Sequence, residues 1–264
     1  MKIVVAIASF WICAGMLAAE LHPIVEVQTG YFFGATQNGK WIKAVPAVKV
    51  VKSETVYRVY GLTTLLGETK GGKPKADSDA CPDNFSVTLK SKPKKGTIAL
   101  AALWNALPRK PLDIDPTQQV YIDTVRDFLK GRGIADPKVK IKRILRVDLE
   151  GDGQEEVLIC ASNYLGADDL DVPQATPPGS YSVVLLRRVV AEKVKTQVVA
   201  GEVHADGKSP NPPNVYELSA VLDLDGDGKL EVVVHSSYYE GGATTIYRCD
   251  PNKVTPLLEV ECGV

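Results

Sequence analysis

Short runs of β-branched and apolar residues, separated by glycine, proline, asparagine and aspartate, set the pattern of this chain. Phe85-Ser86-Val87-Thr88-Leu89 alternates apolar and polar positions, the two-residue period of a half-buried strand. Ile24-Val25-Glu26-Val27, 55–60 and 97–103 read as further strands, and Gln37-Asn38-Gly39-Lys40 is a turn whose glycine suits positive φ. Gly71-Gly72-Lys73-Pro74 opens a loop that runs to Pro82. A helical period occurs once. Asp115 is placed to cap a helix with Pro116 in its first turn, and Tyr121, Val125 and Phe128 share a face with Ile122 and Leu129 beside them. This spacing predicts an amphipathic helix over about 116–130, ending at Gly131 and lying on a sheet, with 108–116 as a linker before it.

From Val139 the strands come in two sets of four: 139–147, 157–161, 181–190 and 194–200, then 215–222, 232–235, 244–248 and 254–260. Offset by 75 residues, positions 148–166 and 223–241 agree at ten of nineteen places, which marks an internal repeat. The first connection of each set is acidic. Asp148, Glu150, Asp152 and Glu156 stand at loop positions one, three, five and nine of the first copy, and Asp223, Asp225, Asp227 and Glu231 at those of the second. Gly153 and Gly228 fall at position six, where a sharp turn is needed. A short loop supplies a hard divalent cation with its six to eight oxygens by this alternation of carboxylates around a tight glycine turn.

An EF-hand needs a bidentate glutamate at the twelfth position and flanking helices, whereas the twelfth positions here are Ile159 and Val234 inside β-type runs. A final carboxylate at position nine followed at once by a strand resembles the FG-GAP/VCBS type of calcium loop found in integrin-like β-propellers. The resemblance covers about 139–264. It implies four-stranded, propeller-like sheets and two Ca2+ sites, with the eight acids above as side-chain ligands and the carbonyls of Gln154 and Lys229 at position seven. Glu150 has a longer arm than the aspartate usual at position three, so the second site is expected to be the stronger.

Charge adds an asymmetry. The net charge is −1, yet 20–146 carries 22 Lys/Arg against 12 Asp/Glu and 147–264 carries 8 against 20. Eight of those acids sit at the loop positions, so much of the C-terminal acidity is metal chemistry. The lysines of the basic half are scattered along a solvated face, with one cluster at Lys90, Lys92, Lys94 and Lys95, and no nucleic-acid partner is expected. Met1-Lys2 and the apolar run up to Ala19 read as a secretory signal peptide, and no later run is long enough to span a bilayer. The organisation expected is therefore a signal at 1–19, a β-rich region at 20–114, helix and linker at 115–138 and two repeat units at 139–264.

Cys81, Cys160, Cys249 and Cys262 allow two disulfides in three connectivities. A hairpin at Asp250–Lys253 would leave Cys249 and Cys262 about 26 Å apart at strand rise, beyond bridging distance, and Cys160 closes an apolar run as a buried thiol. Elimination leaves Cys81–Cys262. His22, His204 and His235 sit in no catalytic motif, so no catalytic residue is assigned. The reading is a mainly β, secreted or periplasmic protein with structural Ca2+ that binds a glycan or an extracellular protein. The alternative is a glycan-acting hydrolase or lyase on the same scaffold.

Overall fold

The protein is described from a computed structural model over residues 20–77, 81–82, 84–164, 175–209 and 212–263. The expected signal at 1–19 and the acidic stretch from Asp168 to Pro173 lie outside the described residues. The elements in order are β1 (His22–Glu26), β2 (Phe32–Gln37), β3 (Lys40–Lys43), α1 (Ala44–Ala47), β4 (Thr55–Tyr60), β5 (Leu65–Gly71), β6 (Lys75–Ala76), β7 (Phe85–Ser86), β8 (Ile98–Leu100), β9 (Leu112–Ile114) and α2 (Gln119–Gly131). Then follow β10 (Ile141–Val147), β11 (Glu156–Ser162), β12 (Ser180–Val190), β13 (Lys193–His204), β14 (Val215–Leu222), β15 (Glu231–Tyr238), β16 (Gly241–Cys249) and β17 (Val254–Gly263). The fold is mainly β, in four antiparallel sheets ordered β3-β2-β1-β8-β4-β5, β13-β12-β11-β10-β9, β14-β15-β16-β17 and β6-β7.

Both repeat units form their four consecutive antiparallel strands. The first gains a fifth, because Leu112–Ile114 of the expected linker pairs with β10. That pairing also moves the helix start. Asp115 Oδ1 accepts from the Thr117 backbone N–H at 2.8 Å and from its hydroxyl at 2.7 Å, so it closes a turn ahead of the helix. Helix α2 therefore begins at Gln119, with Gln118 extended and no side-chain cap, and not at Pro116. It ends at Gly131; Gly133 then takes φ 95° and Ile134 N–H reaches the Leu129 carbonyl at 3.2 Å, the left-handed stop that a glycine permits.

In the N-terminal region β2, β3 and β5 are strands that the hydropathy pattern does not announce. β2 carries Gly34 at φ 131°, where a Cβ would lie 2.1 Å from the Ile42 carbonyl oxygen, so close approach of β3 fixes that residue. Asn38 and Gly39, at φ 51° and 69°, make the expected turn between β2 and β3. Of the alternating run, Phe85–Ser86 forms a strand and Leu89 a single bridge to Gly71, and Val87 and Leu89 are buried as their alternation requires.

The sheets stack as layers, and alternation along the strands assigns each face. Leu158 and Cys160 of β11 meet Leu218, Val232 and Val234 of the last sheet, while Val233, Ile246 and Leu258 on its other face meet Ile24, Phe33, Tyr60 and Leu100 of the first. The β14–β17 sheet, last in sequence, is thus the middle layer. The outer face of the β9–β13 sheet (Ile144, Ile159, Val183, Leu185) is covered by Val125 and Leu129 of α2, as its amphipathic face predicts. The outer face of the first sheet closes over Val25, Tyr57 and Val59 with Ala47 of α1. Equivalent faces of the two repeats point the same way along the stack. The face holding 158 and 160 looks at the next sheet, and so does the face holding 233 and 235.

Cys81 and Cys262 are bridged, with Cα atoms 5.6 Å apart, and Cys160 and Cys249 are buried free thiols. Burial pushes both thiols up to about 12. The bridge closes a loop of sequence separation 181 onto the end of the middle sheet. A Cys81→Ser/Cys262→Ser variant is expected to lose roughly 3–5 kcal/mol of stability in chemical denaturation, the range for so long a closed loop; an unchanged midpoint would mean that the packed layers alone hold this end.

Candidate metal centre

Each acidic loop is a hairpin connection inside its sheet. Val147 pairs with Glu156 and Leu222 with Glu231, so the position-nine acid is the first residue of the returning strand. Glycines at positions four and six take positive φ in both loops: Gly151 75°, Gly153 86°, Gly226 79° and Gly228 85°. This winds the backbone so that its N–H groups point inward at the first aspartate. Asp223 Oδ1 accepts from Gly226 N–H at 2.7 Å and Oδ2 from Gly228 N–H at 3.1 Å; Asp148 accepts from Gly151 and Gly153 at 2.6 and 3.0 Å. The position-nine acid closes the ring through the position-two N–H: Glu231 from Leu224 at 3.0 Å, Glu156 from Leu149 at 2.8 Å. Lys229 N–H donates to Asp227 Oδ1 and Gln154 N–H to Asp152 Oδ1, each at 2.8 Å.

The loops differ in what covers them. Asp223, Asp225 and Glu231 are buried beneath the first sheet, where Trp41 Nε1 donates to Asp225 Oδ2 at 3.2 Å and Trp104 Nε1 to the Asp223 carbonyl at 2.9 Å. The Trp104 ring lies flush on Gly226, 3.3 Å from where a Cβ would stand. Gly151 to Glu155 of the first loop are exposed. Asp223, Asp225 and Asp227 each present a carboxylate oxygen within 4.8 Å of the others, and among the described residues they are the one such group. The geometry thus gathers three of the four expected side-chain ligands of the second loop. Glu231 is held apart by Leu224 and an arginine, and Asp148, Glu150, Asp152 and Glu156 form no comparable group.

Three arginines complete the site, and sequence spacing alone did not single them out. Arg109 binds the two loops together, donating to the carbonyls of Asp148 at 2.6 Å, Leu149 at 3.2 Å and Gly228 at 2.6 Å. Leu230 N–H adds a direct bond to the Leu149 carbonyl at 2.8 Å. Arg188 of β12 lies 2.6 Å from Glu150 Oε1, and Arg248 of β16 lies 2.6 Å from Asp225 Oδ2, 3.1 Å from Glu231 Oε1 and 3.5 Å from Asp227 Oδ2. Val157 pairs with Arg187 and Val232 with Tyr247, so both arginines stand in the third strand one step beyond that register, each reaching the position-three acid of its own loop. They are repeat-equivalent residues. The 75-residue offset misses them because they are 60 apart, the connections before β12 and β16 differing in length.

Three carboxylates of the second loop, Asp225, Asp227 and Glu231, share one guanidinium. Burial, then repulsion from Asp225, pushes Glu231 up to about 8 despite the bonds from Leu224 and Arg248. Burial also raises Asp223, and burial pushes Glu156 up to about 7 although Leu149 N–H works against it.

His22 packs edge-on against the Trp104 ring with centroids 4.5 Å apart, and the other two histidines lie elsewhere. His204 Nε2 is 3.1 Å from Glu202 Oε1, the oxygen that also receives the Tyr164 hydroxyl at 3.1 Å. His235 Nδ1 meets Thr244 Oγ1 at 2.9 Å, and Thr244 donates to Glu26 Oε1 at 2.5 Å. His235 shares a repeat position with buried Cys160 but is half-buried, because its face looks toward the first sheet at the rim of that interface.

A glutamate raised on folding keeps a proton that the unfolded chain has released, so stability drains as pH rises from about 4.5 toward 8. In chelator, the melting temperature is expected to fall between pH 5 and pH 8, and Glu231→Gln to flatten that fall; a wild-type slope equal to that of the variant would remove the assignment. No protein-family model, curated protein or solved structure matches this chain.

Proposed function

We propose that the chain is a secreted or periplasmic binding module built on an open, propeller-like stack of sheets and stiffened by Ca2+. The observation that carries this reading is the group formed by Asp223, Asp225 and Asp227 under Trp41 and Trp104. Its donors are all oxygen, the choice of a hard cation, and three buried acids with exposed Asp227 beside them exceed the one guanidinium they meet. A divalent ion bound there would offset the negative charge that, after burial, helps to raise Asp223 and Glu231. The second site is the stronger in this proposal, since its three aspartates are gathered and Asp223, Asp225 and Glu231 are buried, while in the first Asp152 is exposed, Asp148 half-buried and Glu150 drawn to Arg188. Ca2+ would then fix the hairpins at one end of the stack, leaving the other surfaces to a glycan or protein partner. Head-to-tail facing of the repeats favours the propeller-like description, and the disulfide fits an oxidising compartment.

The alternative, a glycan-acting hydrolase or lyase, draws on the Glu26–Thr244–His235 chain beside a cavity of about 240 Å³. Nδ1 is engaged there, and Nε2 is the nitrogen left for substrate. Glycan turnover that disappears in His235→Ala, with retained melting behaviour, would select this reading; glycan or protein capture without turnover selects the first.

At a free Ca2+ about a hundred times its Kd, the melting temperature is expected to rise by roughly 5–10 °C. Asp227→Asn should abolish most of the rise and, by relieving repulsion, leave the metal-free protein no less stable. Asp152→Asn should change the response less. A melt indifferent to Ca2+ and chelator, with no metal found by elemental analysis, would end the proposal.

A further inference from the structure

Four exposed aliphatic side chains lie in or next to one groove beside the first sheet. Val45, Val50, Val56 and Leu103 are 60, 59, 49 and 78% exposed. Val50, Val56 and Leu103 line one groove of about 1010 Å³ with Leu21, Ile42 and Pro46 among its walls. Contiguous apolar surface of this kind costs solvation in water and marks a contact with something less polar.

Two features of this face identify that medium. Glu20, on the groove rim, directly follows the apolar run that begins after Lys2 and ends at Ala19, so the folded part meets that run here. Cations also flank the aliphatic groups: Lys52 lines the groove, and exposed Lys43 and Lys49 are the chain neighbours of Ile42 and Val50. Among the acids nearby, Glu68 is 3.5 Å from Arg58, and Glu54 takes Lys70 and Lys90 at 3.4 and 2.9 Å, so Glu20 is left as the opposing charge on the rim. Aliphatic groups interleaved with lysine suit the boundary of an anionic bilayer, where side chains enter the acyl region and ammonium groups meet headgroups. Fluid acyl chains also fill an irregular groove with no matching shape of their own.

We propose that the face formed by residues 42–56 and 101–103 is a membrane-docking surface that takes anionic lipid. Its residues 42 and 103 are the chain neighbours of Trp41 and Trp104, the two rings over the second acidic loop.

Hydrogen–deuterium exchange of the full chain on vesicles of phosphatidylcholine with roughly a third phosphatidylserine reads this face directly, whatever residues 1–19 do. Amides of 44–56 and 101–104 are expected to slow on these vesicles and not on phosphatidylcholine alone, while those of 254–263 stay unchanged. Lys49→Glu/Lys52→Glu should lower the vesicle-bound fraction at the face about tenfold or more, and Val50→Ser/Leu103→Ser should remove the protection while keeping the melting temperature. Vesicle binding with no slowing at 44–56 overturns the proposal. So does slowing without vesicles: rising with protein concentration, it assigns the face to a second copy, and independent of concentration, to residues 1–19.

Discussion

Burial of the β14–β17 sheet on both faces is the constraint on which the rest of the structure depends. Val232 and Val234 project into one core and Val233 into the other, so β15 cannot be satisfied by a single neighbour. A sheet with two apolar faces must be sandwiched, and here a six-stranded sheet lies on one side and a five-stranded one on the other. The outer layers then need covers of their own. Helix α2 supplies one with Val125 and Leu129, each worth roughly 1.5–3 kcal/mol of burial. The short α1 and the segment after it supply the other.

The acidic loops follow from the same layering. Each is the turn between the first and second long strands of its unit, so when the two sheets stack, the turns are brought edge to edge. Their backbone carbonyls would face one another unpaired were it not for Arg109, whose guanidinium takes carbonyls from both, and for Leu230 N–H on the Leu149 carbonyl. The guanidinium fork suits this task because it offers several donors in one plane. The repeat therefore has an internal symmetry with an asymmetric environment. One loop is roofed by two tryptophans, while the other faces solvent with an arginine at its glycine.

How much of this was legible in the sequence varied with how local its cause is. The loops, their hairpins and the eight strands of 139–264 follow from alternation and glycine placement, which act over a few residues. Cys81–Cys262 followed from distances along a strand. β2 and β5 were missed because Gly34 and the polar run Gly67-Glu68-Thr69-Lys70 have little strand propensity, and pairing with neighbours far along the chain decides their state. Asp115 was assigned to the helix because a cap and a turn use the same carboxylate in nearly the same way; pairing of Leu112–Ile114 with β10 decided between them. Arg109, Arg188 and Arg248 were invisible for the opposite reason. Arginine on a strand or in a linker has no local signature, and only three-dimensional stacking shows what each one reaches.

The chain order of the layers has a consequence for synthesis. The first sheet is complete by Leu100, yet its inner face waits for strands that begin at Val215. Cys81 must remain a thiol until Cys262 has been made 181 residues later, roughly 10–40 s at ordinary elongation rates. For that interval Ile24, Phe33, Tyr60 and Leu100 form an open apolar surface. A nascent chain in this condition depends on being kept from other chains and from premature oxidation, so the last fifty residues act as the closing step for everything made before them.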